Sequence, residues 1–465
     1  MKKWIACLLA VTLLVGLLAG CNAGDRGSDS TSGQTNSVHK VDLSQGIKVT
    51  DQPATVVCTL ALNELGGSAV IEGFKKKYPN ITVKLEPMAN GDSKLLAMIA
   101  AGNGPDLIRC SAFEELPSMV NRGLLLPLDD FVKASGKVDT GDLLEVNNLF
   151  RFDGKERGKG PLYGVVKDWS FDNTLWVNKT VFQQAGEPLP STTEPMTYDE
   201  LARLCKKLSV KRGETVERFG LITHMSVITL VEAMLASSGR SIWNEDFSAS
   251  TLQTPETKKA INYWADLQKS GAMASTLFPS TDMTGNGAIA EDKTAMVMGG
   301  YWLLSSFIGA QDDVKDKLML IPSPIAAGGK TVNASLSAIG LGIFTDTKAP
   351  MEAYALWEYL MFDEISTGAR ATSGWGIPAL RSMVEKMPTV SALDQQARQV
   401  CVNQMEDFSV APRSNPYVLY TGLTTEFDKY YNLYLYDVQT LDEAMATIDK
   451  DIGFLIDEGR EMAVS

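Results

Sequence analysis

The fold class of this chain can be read from residues 54–85, ATVVCTLALNELGGSAVIEGFKKKYPNITVKL. The β-branched run at 54–60 is typical of a buried strand, and the alternating run at 81–85 is typical of a second strand. Apolar residues at helical spacing lie between the two runs, namely Val70, Ile71, Phe74 and Tyr78. The lysines at 75–77 favour the C-terminus of this helix, and Pro79 stops it. A strand, a helix and a strand in this order predict a mostly parallel sheet in an α/β fold.

The alternation of helix and strand continues beyond residue 85. Residues 94–101 have helical spacing, 105–110 form the next predicted strand, and 113–122 form another helix that ends before Gly123. The chain has 465 residues, which is too many for one hydrophobic core by the usual size scaling. We therefore expect two lobes.

The N-terminal segment indicates export. Two lysines precede an apolar run, Trp4–Leu18, which is too short to span a membrane stably. The residues Leu18-Ala19-Gly20-Cys21 match the lipobox of bacterial lipoproteins. We expect a signal peptide over residues 1–20, whose removal leaves Cys21 as a lipid-modified N-terminus. The alternative is an ordinary cleaved signal with a coincidental cysteine.

Residues 21–50 are predicted to form a flexible linker behind the lipid anchor. They are rich in Ser, Gly, Thr, Asn and Asp, and they hold too few apolar groups to offset the entropy of ordering. No second apolar run of membrane length follows, so lipid at Cys21 would attach the protein to the membrane. The expected location is the extracellular face of the cell membrane, or the periplasm if the organism has an outer membrane.

The composition argues against several classes of function. A net charge of −13 repels nucleic acid, so no nucleic-acid partner is expected. Cys58, Cys110, Cys205 and Cys401 form no C-x-x-C pair, and we expect free thiols, although export would permit disulfides. His224 is the one histidine beyond the linker, which leaves little basis for a His-based metal cluster or a Ser-His-Asp site. We predict no catalytic residue, no metal and no cofactor.

Several segments together carry a family resemblance. They are FKKKYP with ITV (74–83), AGNGPDL (101–107), GLLLPL (123–128), LYGV (162–165), LWVNK (175–179), FQQAG (182–186), YDEL (198–201), AMVMGGYW (295–302) and GIPA (376–379). By their order and spacing across residues 54–380, the chain resembles the extracellular solute-binding lipoproteins of bacterial ABC importers, family 1, the group that includes the maltose-binding protein. Beyond residue 380 the resemblance weakens.

The resemblance implies a two-lobed periplasmic-binding-protein-like fold with a hinge and a ligand cleft between the lobes. It also implies three crossings of the chain between lobes, which we place near 164–169, 333–337 and 374–378. The lobe boundaries then follow: residues 51–166 plus 334–375 form the N-terminal lobe, and residues 167–333 plus 376–465 form the C-terminal lobe. The implied partners are a carbohydrate ligand and the permease subunits of an ABC transporter, and the implied state is a monomer.

Aromatic residues near the expected cleft are candidates for stacking on sugar rings. Sugars offer apolar ring faces bordered by hydroxyl groups, so their sites need flat aromatic surfaces beside directional polar groups. Trp169 lies in the first crossing, Tyr301 and Trp302 follow two glycines in a predicted loop, and Trp375 lies between glycines at the last crossing. The alternative for each tryptophan is a core or rim residue that fills volume.

The resemblance also implies polar ligand contacts after the first strand, after the strand that follows the Pro-Asp motif, and in the hinge. Those positions hold Asn63, Glu64, Ser111, Glu114 and Asp168. As alternatives, Asn63 and Glu64 could cap the following helix, and Glu114 could lie on a solvated helix face. Asp168 is the strongest of these candidates.

Two classes of function remain open. The first is a tethered binding protein that delivers a carbohydrate to a permease, and the separated tryptophans favour an oligosaccharide because they suggest an extended cleft. The second is a tethered extracellular carbohydrate-active enzyme. The sequence has no signature of a nucleophile with its base, which favours binding, and a non-sugar solute is the further alternative.

Overall fold

The computed structural model describes residues 41–88, 93–282, 284–332, 338–406 and 412–463. These residues belong to one compact unit that begins at Val41. The expected signal peptide, Cys21 and the linker up to residue 40 lie outside the described residues. Among the helices that are described, none is both long enough and apolar enough to cross a membrane.

The described ranges contain strands that form two large sheets and one hairpin. In chain order they are β1 Ala54–Cys58, β2 Ile81–Leu85, β3 Leu107–Ser111, β4 Arg151–Phe152, β5 Arg157–Leu162, β6 Val165–Trp169, β7 Leu175–Asn178, β8 Val210–Arg212, β9 Thr215–Thr223, β10 Thr294–Met298, β11 Leu318–Ile321, β12 Ile339–Ile343 and β13 Ile377–Pro378.

The helices of the described ranges surround these sheets. They are α1 Ser68–Lys77, α2 Ser93–Ala100, α3 Leu116–Asn121, α4 Asp129–Ser135, α5 Lys179–Gln184, α6 Tyr198–Leu208, α7 Val227–Ser237, α8 Pro255–Lys269, α9 Asn286–Ala290, α10 Leu304–Phe307, α11 Asp312–Lys317, α12 Pro350–Phe362, α13 Glu364–Ala371, α14 Ala392–Glu406, α15 Tyr420–Leu435 and α16 Leu441–Met462. Short 3-10 turns add Thr140–Asp142, Glu145–Phe150, Tyr301–Leu303 and Arg381–Lys386.

The first sheet has the strand order β13-β6-β12-β3-β1-β2. The expected strand–helix–strand unit is present, because β1 pairs in parallel with β2 and α1 connects them. β12 pairs antiparallel with β3 and β6, and β13 pairs antiparallel with β6. The expectation of a mostly parallel sheet is therefore wrong for this half of the sheet, because β12, which follows the second crossing, and β13 run opposite to β3 and β6.

The second sheet has the order β11-β7-β10-β9-β8. β9 and β10 are parallel, whereas β7 pairs antiparallel with both β10 and β11. Each sheet has helices packed beside it, and the four described cysteines, Cys58, Cys110, Cys205 and Cys401, are free and buried as expected. The two sheets give a two-lobed α/β protein.

The crossings between the sheets differ in part from the expected positions. All of β6 belongs to the first sheet and β7 belongs to the second, so the first crossing is at 170–174 and follows Trp169. The second crossing lies between β11 and β12, and its expected position at 333–337 is outside the described residues. The third crossing comes after β13, because Ile377 and Pro378 still pair with β6 in the first sheet.

Contacts of α14 show where the chain rejoins the second sheet. The Gln396 side chain accepts a hydrogen bond from the Leu320 backbone N–H (2.9 Å) and donates one to the Leu320 carbonyl (2.7 Å). β13 and the Arg381–Lys386 turn precede this contact and pack with α13 of the first lobe. The expected crossing at 374–378 is therefore too early, because residues 377–378 form β13 on the edge of the first sheet.

The last ten residues of the expected linker belong to the folded unit. Val41, Leu43, Ile47 and Val49 pack, partly buried, against the core of the first lobe. The Thr50 backbone N–H donates to Glu352 Oε1 over 2.8 Å. This hydrogen bond holds the segment that precedes β1 against α12. The alternation of apolar residues at 41–49 is the signal that the composition of the longer segment obscured.

Candidate functional site: a cavity between the two sheets

A cavity of about 480 Å3 opens between the two lobes. Residues of both lobes line it: Glu64, Arg109, Glu114, Lys167, Asp168, Trp169, Asp172, His224, Met225, Ser226, Thr229, Trp302, Ile339, Trp375, Tyr420, Thr421, Thr424 and Asp428. Many of these residues follow the carboxyl ends of strands, where α/β sheets place their ligand sites. Glu64 follows β1, Glu114 follows β3, His224 follows β9 and Trp302 follows β10.

Six of the nine ligand candidates from the sequence line this cavity. They are Glu64, Glu114, Asp168, Trp169, Trp302 and Trp375. The structure thus brings the three tryptophans and three carboxylates together. Whether any of them contacts a ligand remains a prediction.

Three candidates do not reach the cavity. Ser111 is fully buried, and its hydroxyl accepts from the Glu114 backbone N–H over 3.1 Å as a local cap. Tyr301 is fully buried in the core beside the cavity. Asn63 is exposed in the loop after β1, and its carbonyl accepts from Gly66 N–H. For Tyr301 the physical reason is that neighbouring residues of a tight turn point in different directions, so Trp302 faces the cavity and Tyr301 the core.

The tryptophans differ in how much of each ring is accessible. Trp302 and Trp375 are half-buried, with ring centroids 6.5 Å apart, and the His224 ring meets Trp302 edge to face at 5.2 Å. Trp169 is 2% exposed, packs on Phe171 at 4.9 Å, and donates its indole N–H to the Pro378 carbonyl. Trp302 and Trp375 therefore offer aromatic surface to the cavity. Trp169 also lines the cavity but is largely a core residue.

An ion pair buried at the end of β6 forms part of the cavity wall. Lys167 Nζ lies 2.8 and 2.7 Å from the two carboxylate oxygens of Asp168, and the two side chains are only 1% and 8% exposed. Burial lowers the pKa of Lys167, against the opposing effect of the Asp168 and Glu64 charges. The sequence analysis selected Asp168 and missed Lys167, because a lysine inside a strand is ordinarily solvated.

A second ion pair lies beside the first. Arg109 Nε is 2.9 Å from Glu64 Oε1, and the Ala61 backbone N–H donates to Glu64 Oε2 over 3.0 Å. Burial alone would raise the pKa of Glu64, but the charges of Lys167 and Arg109 with these hydrogen bonds lower it. Glu64 is therefore held as a carboxylate, and both of its oxygens are engaged by the first lobe.

The opposite wall comes from α15, which the sequence analysis did not select. Tyr420, Thr421, Thr424 and Asp428 follow helical spacing and present one polar stripe to the cavity. The Tyr420 hydroxyl is fixed by Thr229 Oγ1 at 2.6 Å and by Glu232 Oε2 at 2.8 Å. From sequence alone this stripe is indistinguishable from a solvated helix face, and it lies where the family resemblance had weakened.

The Lys167–Asp168 pair yields a stability prediction. Replacing Asp168 by Asn should lower the free energy of unfolding by about 3–5 kcal/mol, because it leaves a buried lysine without its carboxylate partner. Urea unfolding of the two proteins measures this difference. The matched control is Glu156→Gln, which breaks a solvent-exposed pair with Lys159 and should change little. Equal stability of Asp168→Asn and the parent protein would contradict the assigned role of this pair.

Comparisons with known proteins agree with the geometry. The sequence model of the family described as bacterial extracellular solute-binding protein matches residues 69–396. An uncharacterised ABC transporter extracellular-binding protein of Pyrococcus horikoshii is 26% identical over 203 residues, a match that spans 42% of this chain and 43% of that protein.

Solved structures share the fold at low sequence identity. An ABC substrate-binding protein of Listeria monocytogenes in complex with cycloalternan has a TM-score of 0.72 at 19% identity, over 87% of this chain and 99% of the other. A solute-binding protein of Thermotoga lettingae bound with α-D-tagatose has a TM-score of 0.68 at 20% identity, over 87% and 99%. The GacH receptor of Streptomyces glaucescens, also studied with acarbose, has a TM-score of 0.66 at 19% identity, over 88% and 100%.

These likenesses confirm the two-lobed binding-protein fold expected from the sequence. The family match covers well over half of the chain and includes every described strand from β2 to β13, in both sheets. This chain belongs to the bacterial extracellular solute-binding proteins.

Proposed function

We propose that this protein captures a carbohydrate in the cavity between its lobes and delivers it to an ABC permease. The observation that carries the proposal is the pair of half-buried rings, Trp302 and Trp375, on one cavity with carboxylates and threonine hydroxyls. Aromatic faces pack against the apolar faces of sugar rings, and the polar groups bond their hydroxyls. Structural neighbours whose complexes contain cycloalternan, tagatose or acarbose support this choice.

The proposed ligand is an oligosaccharide. A second cavity of about 360 Å3 adjoins the first and shares His224, Met225, Ser226 and Asp428 with it. A chain of several sugar rings could therefore extend past the His224 turn. Among the polar groups beyond that turn are Gln268, Thr276 and Asn432.

Binding without chemistry is the function that the cavity supports best. Among the residues that the structure describes, His224 is the only histidine, and its ring packs against Trp302. Burial lowers the pKa of His224, which favours the neutral imidazole. The family to which this chain belongs is described as solute-binding proteins, which also favours binding over a tethered carbohydrate-active enzyme.

A lipid-anchored location completes the proposal. The lipobox at 18–21 and the family's extracellular character together support a protein held at the membrane by lipid at Cys21. Tethering would keep the protein close to the permease that receives its ligand, since a linker fixes a high effective concentration.

Ligand binding should separate the roles of two tryptophans. A thermal-shift screen of neutral mono- and oligosaccharides should find a ligand that stabilises the protein, by about 2.7 kcal/mol at a hundred times its Kd. With that ligand, Trp302→Ala should weaken binding by roughly 1–3 kcal/mol with little loss of apo stability, because its ring is already partly solvated. Trp169→Ala should instead cost about 3–5 kcal/mol of folding stability.

Calorimetric titration and urea unfolding of each variant distinguish these effects. Normal affinity of Trp302→Ala for the bound saccharide would remove this ring from the proposed site. Failure of every saccharide to bind, with binding of an amino acid or peptide, would replace the carbohydrate proposal by a non-sugar solute.

The anchor can be tested by one substitution. Cys21→Ser should release the protein from washed membranes, because a hydroxyl at this position cannot receive the lipid. Fractionation and immunoblotting of cells that express each form measure the distribution, and Cys58→Ser, a buried thiol of the first lobe, is the control that should stay membrane-bound. Retention of processed Cys21→Ser in the membrane fraction would contradict the lipoprotein proposal.

A further inference from the structure

The charged groups that line the cavity are predominantly acidic. Its carboxylates are Glu64, Glu114, Asp168, Asp172 and Asp428, and its cations are Arg109 and Lys167. Five negative charges against two positive charges leave a formal excess of three negative charges. Such a field attracts cations and repels anions at the entrance of a cleft.

Both cations of the cavity are already engaged by carboxylates of the first lobe. Arg109 pairs with Glu64 at 2.9 Å, and Lys167 pairs with Asp168 at 2.7 Å while only 1% exposed. Neither cation is therefore an uncompensated positive charge that would attract an acidic ligand. A ligand carboxylate would compete with a carboxylate that is already in place, and loss of that partner is costly in a buried pair.

Asp428 is the carboxylate that α15 of the second lobe contributes to the lining of the cavity. It lies on α15 one turn beyond Thr424, lines both adjoining cavities, and is half-buried. Lys429, the next residue along the chain, pairs with Glu426, and Lys269 of the neighbouring helix α8 pairs with Asp437. Within the described part of the chain, no lysine or arginine forms an ion pair with Asp428. Burial raises its pKa, as expected for a carboxylate that has lost water without gaining a cation.

We propose that the cavity selects saccharides by charge, binding amino sugars more tightly than neutral sugars and rejecting acidic sugars, with Asp428 as the selecting group. The inference rests on the proposed carbohydrate function. An ammonium group beside Asp428 forms a charge-assisted hydrogen bond that a hydroxyl cannot match. A ligand carboxylate at the same place meets like charge, which supplies the rejection.

Matched disaccharides test the ranking. The probes are α-1,4- and β-1,4-linked glucose disaccharides in three forms: neutral, with a 2-amino group on both rings, and with a 6-carboxylate on both rings. Calorimetric titration of the full chain in detergent at pH 6.5 should rank amino above neutral above acidic, with a step of about tenfold in Kd between successive forms.

Variants at position 428 assign the ranking to this carboxylate. Asp428→Asn should reduce the advantage of the amino form over the neutral form to less than about twofold in Kd. Asp428→Glu keeps the charge and should keep the ranking. Glu426→Gln removes one negative charge from the same helix outside the cavity and should leave the ranking unchanged.

The outcomes separate this inference from the carbohydrate proposal. Binding of the neutral form without a ranking by charge, or a ranking that persists in Asp428→Asn, overturns the charge inference and leaves the carbohydrate proposal intact. Absence of binding by every saccharide, whether neutral, aminated or acidic and including those of the thermal-shift screen, overturns both. Melting temperatures of the variants establish that each is folded.

Discussion

The two-lobed arrangement depends on the place where the chain passes from the first sheet to the second, and the buried ion pair between Lys167 and Asp168 lies there. It stands at the end of β6, immediately before the chain leaves the first sheet at 170–174. β6 is flanked by β12 and β13, so the strands next to all three crossings are neighbours in the order β13-β6-β12. The strands beside the three crossings therefore lie together, and a hinge at this place would let the lobes rotate while each core remains intact.

The same pair connects the hinge to the cavity. Asp168 and Lys167 line the cavity from the first lobe together with Glu64 and Arg109, and Trp302 and α15 line it from the second. A ligand that contacts both walls gains contacts only when they are close, so binding energy can favour a closed arrangement. The aromatic rings would supply packing, and the unequal distribution of charge would decide which saccharides are accepted.

Sequence reasoning identified the fold class, the family and six cavity residues, since strand periodicity and ordered motifs are local signals. It failed where the direction of a side chain, or the proximity of residues far apart in the sequence, decided which residues line the cavity. Ser111 and Trp169 sit at strand ends, and periodicity did not reveal how far each is buried. Asp428 lies more than 250 residues from Asp168, and nothing local distinguishes its helix stripe from a solvated face. The third crossing was placed too early, because Ile377 and Pro378 still pair with β6 in the first sheet.

Small-angle X-ray scattering tests most directly whether the lobes close around a saccharide. The measurement compares the protein alone with the protein saturated by the tightest-binding saccharide of the thermal-shift screen, with saturation verified by titration. The account predicts a smaller radius of gyration in the complex, because one ligand bridges both walls of the cavity. An unchanged radius of gyration at verified saturation would contradict a hinged cleft between the lobes.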